Sequence, residues 1–330
     1  MTRRGEFQII ADLFAPLARA PGALGLKDDA AIVTPSPGHD LVVTTDTVIA
    51  DVHFRHDDPP DLVARKALRV NLSDLAAKGA KPLGVLHALA LGAATDDAYL
   101  EAYATGLGVD LKAFDIALFG GDTTASKGAL SITITAFGEV PHGTAVLRSG
   151  ARAGDLLCVT GTIGDAAMGL RVLEGQSVPM APAHAEILAD RYRLPQPRVA
   201  FGQALRGLAT AAADVSDGLV ADVGHICAAS GLAAVITWSA VPRSAALERA
   251  LMDDPKLRQL VLGGGDDYEI AFTIPPERRP AVEAAAVRLG TPVTVIGRMV
   301  AATGGNDVTV LGNQGQAIDV PRPGYTHGQG

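Results

Sequence analysis

Phe119-Gly120-Gly121-Asp122-Thr123-Thr124 continues the β-branched and aliphatic run that begins at Ile116. The run reads as a strand that delivers two glycines, an aspartate and two hydroxyls at its end, where a chain offers backbone amides and oxygen ligands to a phosphate or a metal. Taken alone, it reads as a tight turn with a solvated aspartate. It gains weight because the chain keeps returning to aspartate at the end of apolar runs: Asp28-Asp29, Asp46, Asp74, Asp214 with Asp217, and Asp266-Asp267. The expectation is that these carboxylates gather into one site.

Upstream, Glu6 to Leu17 predicts a short amphipathic helix. Leu41 to Ile49 is a strand whose alternation puts Val42, Thr44 and Asp46 on one face. Asp61 opens a helix to Lys78, stopped by Gly79 and Pro82; on its wheel Leu68, Leu72 and Leu75 form the main stripe and Asp74 falls beside it. Strands at Gly84 to Leu91 and Leu130 to Phe137, with a helix from Asp96 to Phe114 between the first of them and the opening stretch, complete an α+β unit whose sheet has one open face. Around Arg148 to Asp155 the composition turns small and polar. The predicted domains are 1–140 and 150–320, with a mobile tail at 321–330.

Downstream, Leu156 to Thr160 and Gly161-Thr162-Ile163-Gly164-Asp165 make a strand, a glycine loop and a helix start, which suits either a phosphate cradle or tight packing. A helix is expected from Pro197 to Ala209. Ser216 reads as the N-cap of the helix that carries Leu219, Val223 and Ile226. The second domain is α/β.

The chain has 330 residues, so two domains are expected; 48% are hydrophobic and only 4% aromatic, which predicts a core of Ala, Val and Leu. A formal charge of -8 and the lack of a Lys/Arg run argue against nucleic acid or an anionic membrane as partner. No apolar run is long enough for a membrane helix and none follows the basic N-terminus as in a secretory signal, so the expected location is cytoplasmic. Cys158 and Cys227 share no metal or redox spacing and read as buried free thiols.

Hard divalent cations such as Mg²⁺ take oxygen shells from a few carboxylates, substrate phosphates and water. Thr44, Thr45, Thr123 and Ser216 add neutral oxygens, no Ser/His/Asp or Cys/His constellation accompanies them, and the reaction class that follows is metal-bridged phosphoryl transfer. Arg148 is the candidate cation for the phosphate.

Taken together, Asp28-Asp29-Ala30, Thr44-Thr45-Asp46-Thr47, His53-Phe54, Asn71-Leu72-Ser73-Asp74-Leu75-Ala76, Gly120-Gly121-Asp122-Thr123-Thr124, Arg148-Ser149-Gly150-Ala151, Asp214-Val215-Ser216-Asp217-Gly218-Leu219 and Gly264-Gly265-Asp266-Asp267-Tyr268-Glu269 resemble the thiamine-monophosphate kinases, in order along nearly the whole chain. The resemblance implies the fold of aminoimidazole ribonucleotide synthetase: an N-terminal domain whose sheet pairs across a homodimer, and a C-terminal α/β domain, with nucleotide bound between them. It implies ATP-dependent phosphorylation of thiamine monophosphate by direct in-line transfer. By position it implies Mg²⁺ ligands at Asp29, Thr44, Thr45, Asp46, Asp74, Asp122, Asp214 and Asp217. It further implies ATP contacts at Gly121, Asp122, Arg148 and Ser216, catalytic roles for Asp46, Asp122 and Arg148, and substrate contacts at His53 and Asp266. The chain departs from the family with Lys27 in place of the usual Gly, Asp266 in place of the usual Glu, and no clear counterpart around Val320 to Tyr325 of an aromatic near the C-terminus. Selenophosphate synthetase and the hydrogenase-maturation dehydratase share the fold, but each would call for a terminal Cys or selenocysteine that this sequence does not carry. A non-catalytic ion- or nucleotide-sensing module is the rival from another class.

Overall fold

The computed structural model describes residues 4–176, 179–304 and 307–325. It divides into two compact units: residues 1–75 with 80–143, and residues 76–79 with 144–330. The division falls close to the composition shift, but the last residues of the long first-unit helix group with the second unit.

The first unit contains α1 (Glu6–Ile9), β1 (His39–Ile49), α2 (Pro60–Ala77), β2 (Lys81–Leu91), α3 (Asp97–Ala113), β3 (Ala117–Ala125) and β4 (Ser131–Pro141). The expected single helix over Glu6 to Leu17 is instead three short turns: α1, a π-helical turn Ile10–Phe14 and a 3₁₀ turn Ala15–Leu17. Pro16 is the reason, since it lacks an amide and its ring crowds the carbonyl four residues back. The sheet runs β1-β4-β2-β3, with β4 antiparallel to both its neighbours and β2 parallel to β3. On α2, Leu68, Leu72 and Leu75 are fully buried. They meet a sheet face that includes Val85, Leu89, Ile132 and Ile134, all at most 2% exposed. The other face is open: on β1, Leu41 is 40% exposed and Val43 52%.

One irregularity decides where Asp122 lies. β2 and β3 pair as Val85 with Leu118 and then Leu86 with Gly120, so Phe119 is an extra residue in β3. A bulge of this kind reverses which side chains face which way beyond it. Asp122 therefore stands beside Ala88 on the open face. Gly121 and Asp122 lie inside the paired strand and not, as the residue pattern suggests, at its end. Gly121 is required there, because a Cβ would come within 1.8 Å of the His87 carbonyl oxygen.

The second unit contains β5 (Leu156–Thr160), α4 (Asp165–Leu173), α5 (Pro182–Arg193), α6 (Val199–Ala204), β6 (Ala211–Asp214), α7 (Leu219–Ser230), β7 (Leu232–Thr237), α8 (Ala245–Asp253), α9 (Arg258–Gly263), β8 (Ile270–Ile274), α10 (Arg279–Leu289), β9 (Val293–Ala301), β10 (Val308–Leu311) and β11 (Ala317–Ile318). Its sheet has seven strands in the order β11-β10-β7-β9-β5-β8-β6. Alternate residues of β5 feed two cores: Leu157 and Val159 join α7 and α9 residues on one side, and Cys158 joins Phe201 and Phe272 on the other. Cys158 and Cys227 are buried free thiols, and burial pushes them up to about 12 and about 11.

Several sequence expectations change here. The helix expected from Pro197 to Ala209 is shorter and ends at Ala204, because the Arg206 amide reaches back only three residues, to Gln203, and Gly207 turns the chain at φ +73°. Residues 321–325 are not a free tail: the Pro323 carbonyl accepts from Ala221 at 3.0 Å and the Tyr325 amide donates to Asp217 at 3.0 Å. The remainder of the predicted mobile tail, 326–330, lies outside the described residues. No helix among the described residues is long and apolar enough to cross a membrane.

Candidate functional site

In the first unit the named residues form two groups on opposite faces of the sheet. The Thr44 hydroxyl donates to Asp74 Oδ2 at 2.5 Å, joining β1 to α2. Two residues on, the Asp46 amide donates to Asn71 Oδ1 at 3.1 Å, and Asn71 is itself fully buried. Asp74 is half-buried, so its carboxylate remains reachable. Thr45 faces the other way, as strand alternation demands, with its hydroxyl 3.1 Å from both the Ile134 carbonyl and the Thr135 hydroxyl. A single ion held by the side chains of Thr44 and Asp46 is therefore out of reach of the Thr45 hydroxyl.

The second group lines a cavity of about 790 Å³ along the free edge of β3. Asp28 and Asp29 meet Gly120, Gly121 and Asp122 there, over a floor that includes Leu86, Ala88, Thr133, Thr135 and Phe137, with Ile10, Phe14 and Leu26 as apolar walls. Both Asp29 and Asp122 are exposed, as a metal or phosphate contact requires. The volume falls within the usual range for a small-molecule site. Within this unit the named residues thus form an oxygen pair under α2 and an acid-and-glycine cavity on the open face.

His53 follows β1 in a loop, where its Nδ1 accepts from the Ile49 amide at 3.1 Å. That contact places the ring proton on Nε2 and leaves Nε2 as a donor.

In the second unit, Asp214 ends β6 and is 4% exposed, while Ser216 and Asp217 follow it half-buried. Ser216 is not the cap of α7. The amides of Ser216, Asp217 and Gly218 all donate to Asp222 Oδ2, at 3.0, 3.0 and 3.1 Å, so a carboxylate from the first turn of the helix does the capping. Burial pushes Asp222 up to about 7, with the three amides pulling the other way and Asp217 adding to the rise. Asp217, Asp222 and His225 bring possible ligand atoms within 4.8 Å of one another. Sequence reasoning missed Asp222; its one signal was an acid in the first turn after a Gly-ended loop.

Asp266 is held against the same loop by its amide, which donates to the Ser216 carbonyl at 2.7 Å, and Tyr268 donates likewise to Val215 at 2.8 Å. Asp266 has φ +63° and Tyr268 φ +50°, both in the left-handed region. Aspartate is among the side chains that tolerate that region best. The neighbours of Asp266 are anchored. Asp267 accepts from Gly164 at 2.8 Å and Ala166 at 3.4 Å at the start of α4. Glu269, fully buried, is gripped by Arg198 through two bonds of 2.6 Å, by Arg191 at 2.9 Å and by the Thr160 hydroxyl at 2.7 Å.

These bonds also decide the glycine loop at 161–164. Its Gly164 amide is taken by Asp267, its Gly161 amide by Pro292 and its Ile163 amide by Pro242. The loop packs the unit, and those donors are spent. Arg148 is exposed, and its carbonyl accepts from the Ser230 hydroxyl at 3.4 Å, so its backbone is tied while its guanidinium faces solvent.

Residues 27–140 match the family model "AIR synthase related protein, N-terminal domain", and residues 152–309 match "AIR synthase related protein, C-terminal domain". The chain is 43% identical to the thiamine-monophosphate kinase of Salmonella typhimurium, covering 98% of both chains, and 42% identical to that of Caulobacter vibrioides, covering 98% of this chain and 91% of that one. Among solved structures, the thiamine-monophosphate kinase from Stenotrophomonas maltophilia K279a superposes with a TM-score of 0.82 at 41% identity, over 94% of this chain and 96% of the other. A structure described as AaThiL complexed with AMPPCP and TMP superposes at 0.77 with 30% identity over 99% of each chain. Escherichia coli HypE, at 24% identity and a TM-score of 0.78 over 96% of this chain and 97% of that one, shares the fold.

Proposed function

This chain belongs to the AIR synthase-related family and, within it, to the thiamine-monophosphate kinases, and from that premise we propose that it transfers the terminal phosphoryl group of ATP to thiamine monophosphate, with Mg²⁺ as its metal. The observation that carries the reading is the cavity where Asp29, Gly121 and Asp122 meet on the open face of the first sheet. A glycine whose backbone lies bare beside a carboxylate suits a nucleotide phosphate with its divalent ion.

The donor set fits Mg²⁺, since every candidate ligand is a carboxylate or hydroxyl oxygen. Asp29, Asp122 and Thr45 offer one group in the first unit and Thr44, Asp46 and Asp74 another, which suits more than one ion. Asp214 and Asp217 offer carboxylates in the second unit. Bound there, Mg²⁺ supplies charge neutralisation for the phosphates. For ATP the first unit offers Gly121 and the second offers Ser216 and the exposed Arg148, and the Nε2 donor of His53 suits the substrate phosphate. Asp266 provides the negative charge that a cationic thiazolium seeks.

The transfer is written as an in-line displacement. An oxygen of the acceptor phosphate forms a bond to the γ-phosphorus of ATP as the bond to the β,γ-bridging oxygen breaks, giving thiamine diphosphate and ADP. A phosphate monoester is already largely ionised at neutral pH, with a second pKa of about 6, so the nucleophile arrives charged and no general base is required. The absence of a catalytic triad from the sequence pattern accords with this.

The open sheet face supports a homodimer. Leu41 and Val43 expose an aliphatic strip on β1, at the edge of the sheet opposite the β3 cavity, and a second copy presenting the same strip would cover it with two-fold symmetry. The expected setting is the cytoplasm. Incubation with ATP, Mg²⁺ and thiamine monophosphate, followed by oxidation to the fluorescent thiochrome, tests the reaction. Thiamine diphosphate that disappears with EDTA is the expected result. Mg²⁺-dependent ATP binding without product would retain the metal reading and overturn the substrate.

A further inference from the structure

Between β6 and α7 the chain builds a concave run of amides of the kind that elsewhere holds a phosphate oxygen. The amides of Ser216, Asp217 and Gly218 converge at 3.0, 3.0 and 3.1 Å, but on a single oxygen of the chain's own Asp222, which is 1% exposed. Gly218, at φ +141°, lets the backbone make the turn, and a Cβ there would come within 2.9 Å of the Gly263 backbone. The carbonyls of the same loop are engaged as well: that of Ser216 accepts from Asp266 at 2.7 Å and that of Asp217 from Tyr325 at 3.0 Å. With its peptide groups spent internally, what the loop still offers is the Ser216 hydroxyl and the Asp217 carboxylate.

We propose that Asp222 is a positioning residue: an internal carboxyl oxygen that fills the amide nest and thereby presents Ser216 and Asp217 to Mg²⁺ and ATP. The inference rests on the reading of those two residues as ligands. It assigns the nest no phosphate of its own, so the loop meets the nucleotide through side chains. It also gives Asp222 Oδ2 a role apart from ligation, since that oxygen already accepts from three amides. Without the carboxylate the three amides lose their common acceptor and the loop loses the geometry that aims Asp217.

The test uses the full chain and two readouts: hydrogen exchange at residues 216–218, and the Mg²⁺ concentration giving half-maximal turnover at fixed ATP. For Asp222→Ala, exchange at these amides should rise at least about tenfold and half-saturation by about tenfold, while sodium formate, a small carboxylate able to enter the vacated nest, should recover part of both. Asp222→Asn keeps a carbonyl oxygen as acceptor and should stay within about twofold of wild type. Unchanged exchange in Asp222→Ala overturns the filled nest. Faster exchange with unchanged half-saturation, where Asp217→Asn does shift it, overturns the positioning role. If Asp217→Asn leaves the Mg²⁺ dependence untouched, the ligand reading fails and the positioning role with it, and the exchange data still report separately on the nest. Should Asp222→Ala not fold, Asp222→Glu carries the carboxylate one methylene too far and should raise half-saturation; no shift there counts against the proposal.

Discussion

His87 makes the stability of the first unit depend on pH in a direction that can be worked out. Its ring points from β2 into the protein, with Nε2 2.7 Å from the Tyr103 hydroxyl and its centroid 5.4 Å from that of Phe14. Burial pushes its pKa from 6.5 down to about 4. The unfolded chain therefore takes up a proton near pH 6.5 while the folded chain resists until about pH 4. The contribution is complete above pH 6.5 and is lost as pH falls through that window, at up to about 1.4 kcal/mol per pH unit, or about 3 kcal/mol in all. Against a typical domain stability of about 5 to 15 kcal/mol this is a large share. His87→Gln retains a polar partner for Tyr103 and does not titrate. Trp238 is the one tryptophan and belongs to the second unit, so fluorescence would report on the wrong part. Hydrogen exchange of peptides from β2 and α3 reports on the right one. Carboxylates titrate in both proteins, so the measured quantity is the difference between wild type and variant at each pH. That difference should be flat above about pH 6.5 and then move against the wild type by about 1.4 kcal/mol per unit. Parallel curves down to about pH 4.5 would refute the buried neutral imidazole.

Asp122→Asn and Asp46→Asn should each lower kcat by orders of magnitude with an unchanged circular dichroism spectrum; normal turnover in either refutes its assignment as a metal ligand. Gly121→Ala places a methyl 1.8 Å from the His87 carbonyl oxygen, so β2 and β3 must part at that register; a lowered Tm by calorimetry together with lost turnover is expected. Glu269→Ala leaves Arg191 and Arg198 without their shared carboxylate and should cost about 3 to 5 kcal/mol in urea denaturation, the range for breaking a buried pair.

Local pattern was enough for much of this chain. The β-branched alternation over Leu41 to Ile49, the leucine stripe of α2 and the helix that opens at Asp96 each follow from side-chain period and turn chemistry within a few residues. The run of aspartates after apolar segments likewise marked the residues that the cavity and the β6–α7 loop display. Two features were decided elsewhere. Phe119 bulges because β3 must pair with β2 from residue 84 to residue 91, and that slip alone turns Asp122 to the open face; nothing near Asp122 in sequence encodes it. The Gly161 to Gly164 loop reads as a phosphate cradle and Ser216 as a helix cap until the carboxylates that take their amides, Asp267 and Asp222, are in place. The sequence by itself determined which groups are available, through composition and period. Tertiary structure decided which of them remain free, because a buried amide takes whichever acceptor the fold brings to it, and for Gly164 that acceptor lies more than a hundred residues away along the chain.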